Sequence, residues 1–332
     1  MTVCWIHFSL LSVALTLESP FPVFYLLLCN QLANQQQLPS SSKTDKTVAM
    51  PPATSKQDDD HPLNLFFLGN SYFGQNGLAG LCKQAFQSCD ISSHVKSHHP
   101  GGETFSGHLN NLNNKKHGIH RSLLEERSDS IPWDWVLLQQ QSQTPGFVHD
   151  SPQQFQQTVE HAQQIVANLQ ERHAQIQVLF VMTWGRRHND KHNPNLFPDF
   201  LTMQRKITDG YLAYVAATST PSKPTFVAPC GLVFETIHQD AVSRGEDPTK
   251  EGSLFHSLYI RDGSHPSLAG SYLCLCTILG TLVEMDVQKD LEWVPPNLDP
   301  DIAEQIREAV SRTIRETASN RIIRYPWQTV PP

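Results

Sequence analysis

Two short runs with almost no polar alternation, Leu63–Leu68 (LNLFFL) and Val178–Met182 (VLFVM), limit what this chain can fold into. A strand with one wet face alternates apolar and polar side chains, whereas a continuously apolar strand needs cover on both faces. Such strands belong to parallel sheets, whose neighbouring strands are joined by crossovers that usually contain a helix. The rest of the sequence supplies that alternation. A turn at Gly69–Ser71 is followed by a helical pattern over Leu78–Phe86 and a weaker strand over Ile91–Ser97. Trp135–Leu138 reads as the next strand, entered through Pro132. Phe155, Val159, Ala162, Val166 and Leu169 then recur at helical spacing, after a start signal at Asp150-Ser151-Pro152. Beyond VLFVM come a helix over Phe200–Ala216, a short strand over Phe226–Ala228 and an apolar helix over Ser267–Leu282. An amphipathic helix over Pro300–Thr317 follows, with Asp299 as its N-cap. The pattern predicts an α/β fold, a three-layer α/β/α sandwich around a mostly parallel central sheet.

Residues 62–332 are expected to form one domain. Before it, residues 34–61 are polar and rich in Pro and Ser, and too poor in apolar residues to order themselves, so they read as a disordered linker. Residues 1–33 form an apolar leader, with runs at Met1–Val13 and Phe21–Cys29. The leader fits targeting to a secretory route or organelle, as a signal or an anchor, although no basic residue precedes His7. If it is not a targeting signal, the protein is expected in the cytoplasm. Any membrane contact would run through that anchor alone.

A formal net charge of −7, with no recurring Lys/Arg stripe, argues against nucleic acid as a partner, because phosphate binding needs a concentrated basic footprint. The seven cysteines, Cys4, Cys29, Cys82, Cys89, Cys230, Cys274 and Cys276, form no CxxC pair and are expected as small buried hydrophobes. His188 and His192 lack the Glu of a zinc-protease helix, so no metal is expected. Neither a phosphate-binding loop nor a GxGxxG occurs, so no cofactor is expected. The oligomeric state is not legible.

Ligands of open α/β sheets gather at the carboxyl ends of the strands. Three polar clusters directly follow apolar strands: Gly69-Asn70-Ser71-Tyr72, Gln139-Gln140-Gln141-Ser142-Gln143 and Thr183-Trp184-Gly185-Arg186-Arg187. A fourth, Arg261-Asp262-Gly263-Ser264-His265-Pro266-Ser267, precedes the apolar helix. Ser71 at a strand-to-turn corner would hold its hydroxyl on rigid backbone. Asp262 and His265, three apart in a Gly/Ser/Pro-rich loop, can fold back so that the carboxylate fixes the imidazole tautomer. Trp184 offers a flat face for a sugar or acyl group, and Arg186 and Arg187 could bind a carboxylate or sulfate.

These motifs resemble the SGNH (GDSL-like) hydrolases. That family carries its nucleophile in Gly-Asp-Ser or Gly-Asn-Ser after the first strand, as in Gly69-Asn70-Ser71, and closes with Asp-x-x-His before the last helix, as in Asp262–His265. The wording FLGNSYF, VLLQQQSQTP, VMTWGRR, APCGLVF and LYIRDGSHPSLAGSYL looks like a bacterial-type branch, and the likeness spans about Leu63 to Gly280. It implies a flavodoxin-like sheet and a serine hydrolase acting on a small-molecule or carbohydrate ester, with Ser71, Asp262 and His265 as triad. A glycine after the second strand joins the family's oxyanion hole, and Gly102 in Pro100-Gly101-Gly102-Glu103-Thr104 stands in its place. The family's third block ends in Gly-x-Asn-Asp, but glutamines stand here, so Gln141 or Gln143 must supply that amide. If the strand ran on, both would share the face of Gln139, so alternation does not choose between them; Gln141 lies closer to the strand end. The Asn-Asp of His188-Asn189-Asp190 sits one block late. The alternative to an enzyme is a non-catalytic glycan- or partner-binding protein on the same fold.

Overall fold

The computed structural model describes residues 62–125 and 132–328; the leader and linker expected before Pro62 lie outside the described residues. In chain order the elements are β1 (Leu63–Leu68), α1 (Ser71–Gly74), α2 (Leu78–Ser88), β2 (Ser93–His98), α3 (Phe105–Asn113), α4 (Gly118–Leu123) and β3 (Trp135–Leu138). They continue with α5 (Pro152–Arg172), β4 (Gln177–Val181), α6 (Phe200–Thr218), β5 (Thr225–Ala228), α7 (Cys230–Ser243), α8 (Leu254–Ser257) and α9 (Leu268–Leu282). The last two are α10 (Val287–Asp290) and α11 (Pro300–Ser319).

All four strand pairings are parallel, in the order β2-β1-β3-β4-β5. This is the flavodoxin-like order, in which the chain reverses direction across the sheet after β2 and leaves a crevice at the carboxyl ends of β1 and β3. Right-handed crossovers put α2 and the helices after β5 on one face, and the helices between β2 and β5 on the other. The helix contacts agree: α2, α7 and α11 pack on α9, while α3 packs on α4 and α5, and α5 on α6. The outcome is the three-layer sandwich that the continuous apolar runs require. Every residue of β1 is buried, Asn64 included, whose amide donates to the Asp134 carboxylate at 2.7 Å.

Helix α5 buries all five residues of its expected stripe, together with Ile165. Ser151 stands at its N-cap position but makes no side-chain capping bond. Asp299 does cap α11, accepting from the Asp301 amide at 2.9 Å. Helix α9 is buried from Ala269 to Leu282, which explains its lack of a polar stripe. Of the described cysteines, Cys82, Cys230, Cys274 and Cys276 are buried free thiols, and Cys89 is half-buried. Among the described residues, no helix is long and apolar enough to cross a membrane.

Several buried polar side chains break the usual rule for polar burial, and one of them is a core histidine. His108 on α3 is 0% exposed, and neither ring nitrogen has a hydrogen-bond partner among the described residues. Its ring meets His98 edge-on at 6.0 Å, and the Gly69 carbonyl faces it outside hydrogen-bond geometry. Burial, reinforced by His98, lowers its pKa to about 3. The unfolded chain therefore takes up a proton near the ordinary value of about 6.5 that the native state refuses. Stability from this group is intact above that value and drains away as pH falls towards about 3. His108→Leu is expected to raise stability at neutral pH by about 1–3 kcal/mol, by removing two unpaired buried nitrogens. It should also flatten the acid limb of the stability profile, read from denaturant midpoints at pH 7 and pH 5. An unchanged or steeper limb would mean that another group governs acid sensitivity.

Candidate active site

Glycine at position 69 is required by a close approach. A Cβ there would lie 2.5 Å from the Phe73 ring and 2.7 Å from Gln139 Oε1. The chain then turns directly into α1, so Ser71 is the first residue of a short helix and not part of the preceding turn. Asn70 is the N-cap, its side-chain oxygen accepting from the Tyr72 amide at 3.2 Å. The Asn70 amide donates to Gln139 Oε1 at 3.3 Å, and Gln139 Nε2 returns a bond to Asn70 Oδ1 at 3.1 Å. Asn70 Nδ2 donates to the Glu103 carbonyl at 3.1 Å. The end of β3 and the loop after β2 thus clamp the backbone that carries Ser71.

The Asp262–His265 loop reaches the same place from the far end of the sequence. The His265 and Ser264 amides donate to Asp262 Oδ1 at 2.9 and 2.8 Å, folding the loop back on itself. His265 Nδ1 meets Asp262 Oδ2 at 2.6 Å, and His265 Nε2 meets Ser71 Oγ at 2.9 Å. Partial burial works against the Asp262 charge, but the His265 ring and the two amides outweigh it and hold the carboxyl below its ordinary pKa. Asp262 is therefore an acceptor at neutral pH and selects the tautomer with the proton on Nδ1, which leaves Nε2 free to accept from the Ser71 hydroxyl. Both side chains are partly open to solvent, His265 at 32% and Asp262 at 44%.

Gly102 occupies a turn closed by the Glu103 amide on the Pro100 carbonyl at 3.3 Å, with φ at +68°, a conformation suited to glycine. Its amide and that of Ser71 make no hydrogen bond among the described residues. The glutamines differ sharply in their commitments. Because β3 ends at Leu138, strand alternation does not extend to them. The Gln139 amide is spent on Asn70 and the Gln140 carbonyl, and the Gln140 oxygen accepts from the Phe105 and Gln141 amides. Gln143 Nε2 donates to Asp190 at 2.5 Å. Gln141 accepts through Oε1 from the Gln143 amide, the Thr144 amide and the Thr144 hydroxyl, while its Nε2 has no partner among the described residues.

Two expectations for the substrate pocket need correction. Trp184 does not offer a free face: it is 2% exposed, stacked between Tyr72 at 4.7 Å and Phe234 at 4.6 Å. Its indole N–H donates to the Ser264 carbonyl at 3.1 Å, so it braces the His265 loop. Arg186 is likewise engaged, its Nε on Asp190 Oδ2 at 3.2 Å and its NH1 on the Tyr72 hydroxyl at 2.5 Å. Asp190, the late Asn-Asp string of the sequence, is a buried junction. Burial opposes its charge, but Gln143, the amides of Asn193 and His192, and Arg186 hold its pKa low. Tyr72 was not legible as a site residue, although it follows Ser71 directly. Its hydroxyl meets Ser264 Oγ at 2.8 Å, and its ring packs edge-on against His265 at 5.2 Å. Among the described residues, no group of three His, Cys, Asp or Glu side chains is arranged to hold a metal ion.

Neither a protein-family profile nor a curated protein sequence matches the chain. Solved structures do. A DUF4886 family protein from Bacteroides uniformis ATCC 8492 superposes with a TM-score of 0.61 at 17% identity, over 81% of this chain and 98% of that one. A proposed SGNH hydrolase from Slackia heliotrinireducens gives 0.47 at 20% identity, over 66% of this chain and 97% of that one. An acetyl xylan esterase gives 0.46 at 12% identity, over 66% of this chain and 100% of that one. The first likeness shows a shared fold.

Proposed function

We propose that this chain is a serine hydrolase of the SGNH type that cleaves carboxylic esters through an acyl-enzyme. One observation carries the reading: the continuous hydrogen-bonded chain from Ser71 Oγ through His265 to Asp262, at 2.9 and 2.6 Å. In this reading His265 Nε2 takes the Ser71 proton as Oγ attacks the ester carbonyl, and Asp262 stabilises the imidazolium that forms. The developing oxyanion is received by the Ser71 and Gly102 amides and by Gln141 Nε2. His265 then protonates the leaving alcohol, and water activated by the same imidazole releases the acid.

The solvent exposure of the His265 and Asp262 side chains supports a substrate whose bulk stays outside the protein, as an O-acetylated carbohydrate would. In this reading residues 1–61 carry no group the chemistry needs, so a chain beginning at Pro62 is expected to keep near-full turnover, and a folded but inactive product would give the leader a part in the site.

The direct test is labelling by a fluorophosphonate, which reacts only with an activated serine. The wild type should be labelled stoichiometrically, and Ser71→Ala not at all. Equal labelling of both would place the reactive serine elsewhere, and no labelling of either would favour a binding protein on this fold.

A further inference from the structure

A cleft of about 510 Å³ at the α6 N-terminus is lined by residues that include Arg187, His188, Pro198, Leu201, His238 and Thr249. Consecutive arginines meet opposite fates here. Arg186 is paired by Asp190, whereas Arg187 has no ion pair among the described residues although it is only 8% exposed. Among the described residues its guanidinium makes one long hydrogen bond, from NH1 to the His256 carbonyl at 3.5 Å, and its buried Nε has no partner. The Arg187 amide donates to the Gly263 carbonyl at 2.9 Å, which fixes the residue against the loop that carries Asp262 and His265.

An arginine cannot shed its proton, and a buried charge without a counter-charge is costly. The carboxylates around the cleft do not answer it. Asp199 caps α6, with its oxygens on the Thr202 amide at 2.7 Å and the Thr202 hydroxyl at 3.0 Å. Asp247 accepts from the Thr249 amide and hydroxyl at 2.9 and 2.8 Å. His238, in the same lining, stacks on Phe200 at 5.0 Å, and its buried Nδ1 has no partner among the described residues. Burial lowers its pKa, although Asp199 and Asp247 oppose this, so the ring brings a polar nitrogen without adding a second fixed charge. Pro198 is exposed, and Leu201 is 36% exposed, which gives the cleft an apolar wall.

We propose that this cleft binds a small ring-bodied carboxylate of the uronic-acid kind. The carboxylate supplies the counter-charge that the Arg187 guanidinium lacks, beside the His238 ring, and the apolar face of the sugar ring lies on Pro198 and Leu201. Ser71, Asp262 and His265 are not in its lining, and binding there can be tested without turnover.

The probes are methyl β-glucuronide and its neutral twin methyl β-glucoside, titrated into the full chain by NMR. The glucuronide should bind at least about tenfold more tightly, as a charge-assisted bond to a buried partner implies. Arg187→Met should abolish that preference. Because this change removes a buried residue, Leu201→Glu provides a second variant at the exposed rim. It sets a like charge beside the ligand and should weaken the glucuronide alone by several-fold. Equal affinity for the two probes, no binding of the glucuronide, or indifference to Leu201→Glu would overturn the proposal and leave Arg187 as a strut for the loop.

Discussion

Ser71→Ala and His265→Ala are each expected to cut kcat on a short-chain aryl ester by on the order of 10⁴–10⁶, with the fold intact. That is about 5.5–8 kcal/mol of lost transition-state stabilisation. Ser71→Ala deletes one oxygen atom whose hydrogen bond is to His265, so the clamp made by Asn70, Gln139 and Glu103 stays in place. His265→Ala leaves Asp262 still accepting from the Ser264 and His265 amides, so the loop keeps its turn. The two residues act as one unit, and the double variant should be no slower than either single one. Asp262→Asn keeps the shape of the loop but no longer enforces the tautomer, and a loss of about 10⁴ is expected from it. The measurement is kcat and KM on an aryl acetate, alongside circular dichroism of each variant. Unchanged turnover in folded Ser71→Ala would end the proposed mechanism.

The sheet was readable because burial on both faces leaves a direct trace, a strand with no alternation. The strands over Leu63–Leu68 and Trp135–Leu138 fall where that trace puts them. Helices α3, α4 and α7 were not readable. FSGHLNNLN and GIHRSL are rich in Asn, His and Gly, weak helix formers, and are held by tertiary burial of Phe105, Leu109, Leu112, Ile119 and Leu123. Helix α7 carries Gly231 in its first turn because a Cβ there would lie 2.3 Å from the Thr183 carbonyl. Close approach of helix to sheet therefore overrode propensity.

The meeting of Ser71 with Asp262 and His265 was anticipated from the resemblance of their two motifs to those of the SGNH hydrolases. The fate of Trp184 was not, because a sequence does not tell whether a flat ring is covered. Tyr72 from α1 and Phe234 from α7 stack on it. His108 was equally hidden, since nothing in FSGHLNNLN distinguishes a solvated imidazole from one sealed in the core beside His98 and Gly69.

The glutamine segment shows what geometry adds where the pattern left a choice. Alternation does not separate Gln141 from Gln143, and only nearness to the strand end favours Gln141; Gln143 has given its amide to Asp190, whereas Gln141 Nε2 has no partner among the described residues. The Gln141 oxygen is pinned by three donors from Gln143 and Thr144, which holds the opposite edge of the amide still, as a preorganised donor requires. Asn189, the remaining candidate, is exposed and borders the Arg187 cleft. Alanine at position 141 would remove both the donor and the acceptor that shapes the turn, so it would confuse two effects. Gln141→Glu separates them: the carboxylate still accepts from Gln143 and Thr144 but offers no N–H. If Gln141 Nε2 serves the oxyanion, this variant should lose about 10²–10³ in kcat, or about 2.7–4 kcal/mol, with little change in KM. Gln143→Glu would instead set a second carboxylate against Asp190, disturbing the Arg186–Tyr72 support and lowering thermal stability along with activity. A folded, thermally unaltered Gln141→Glu enzyme that keeps kcat to within about tenfold would remove Gln141 from the hole. The oxyanion would then rest on the Ser71 and Gly102 amides alone.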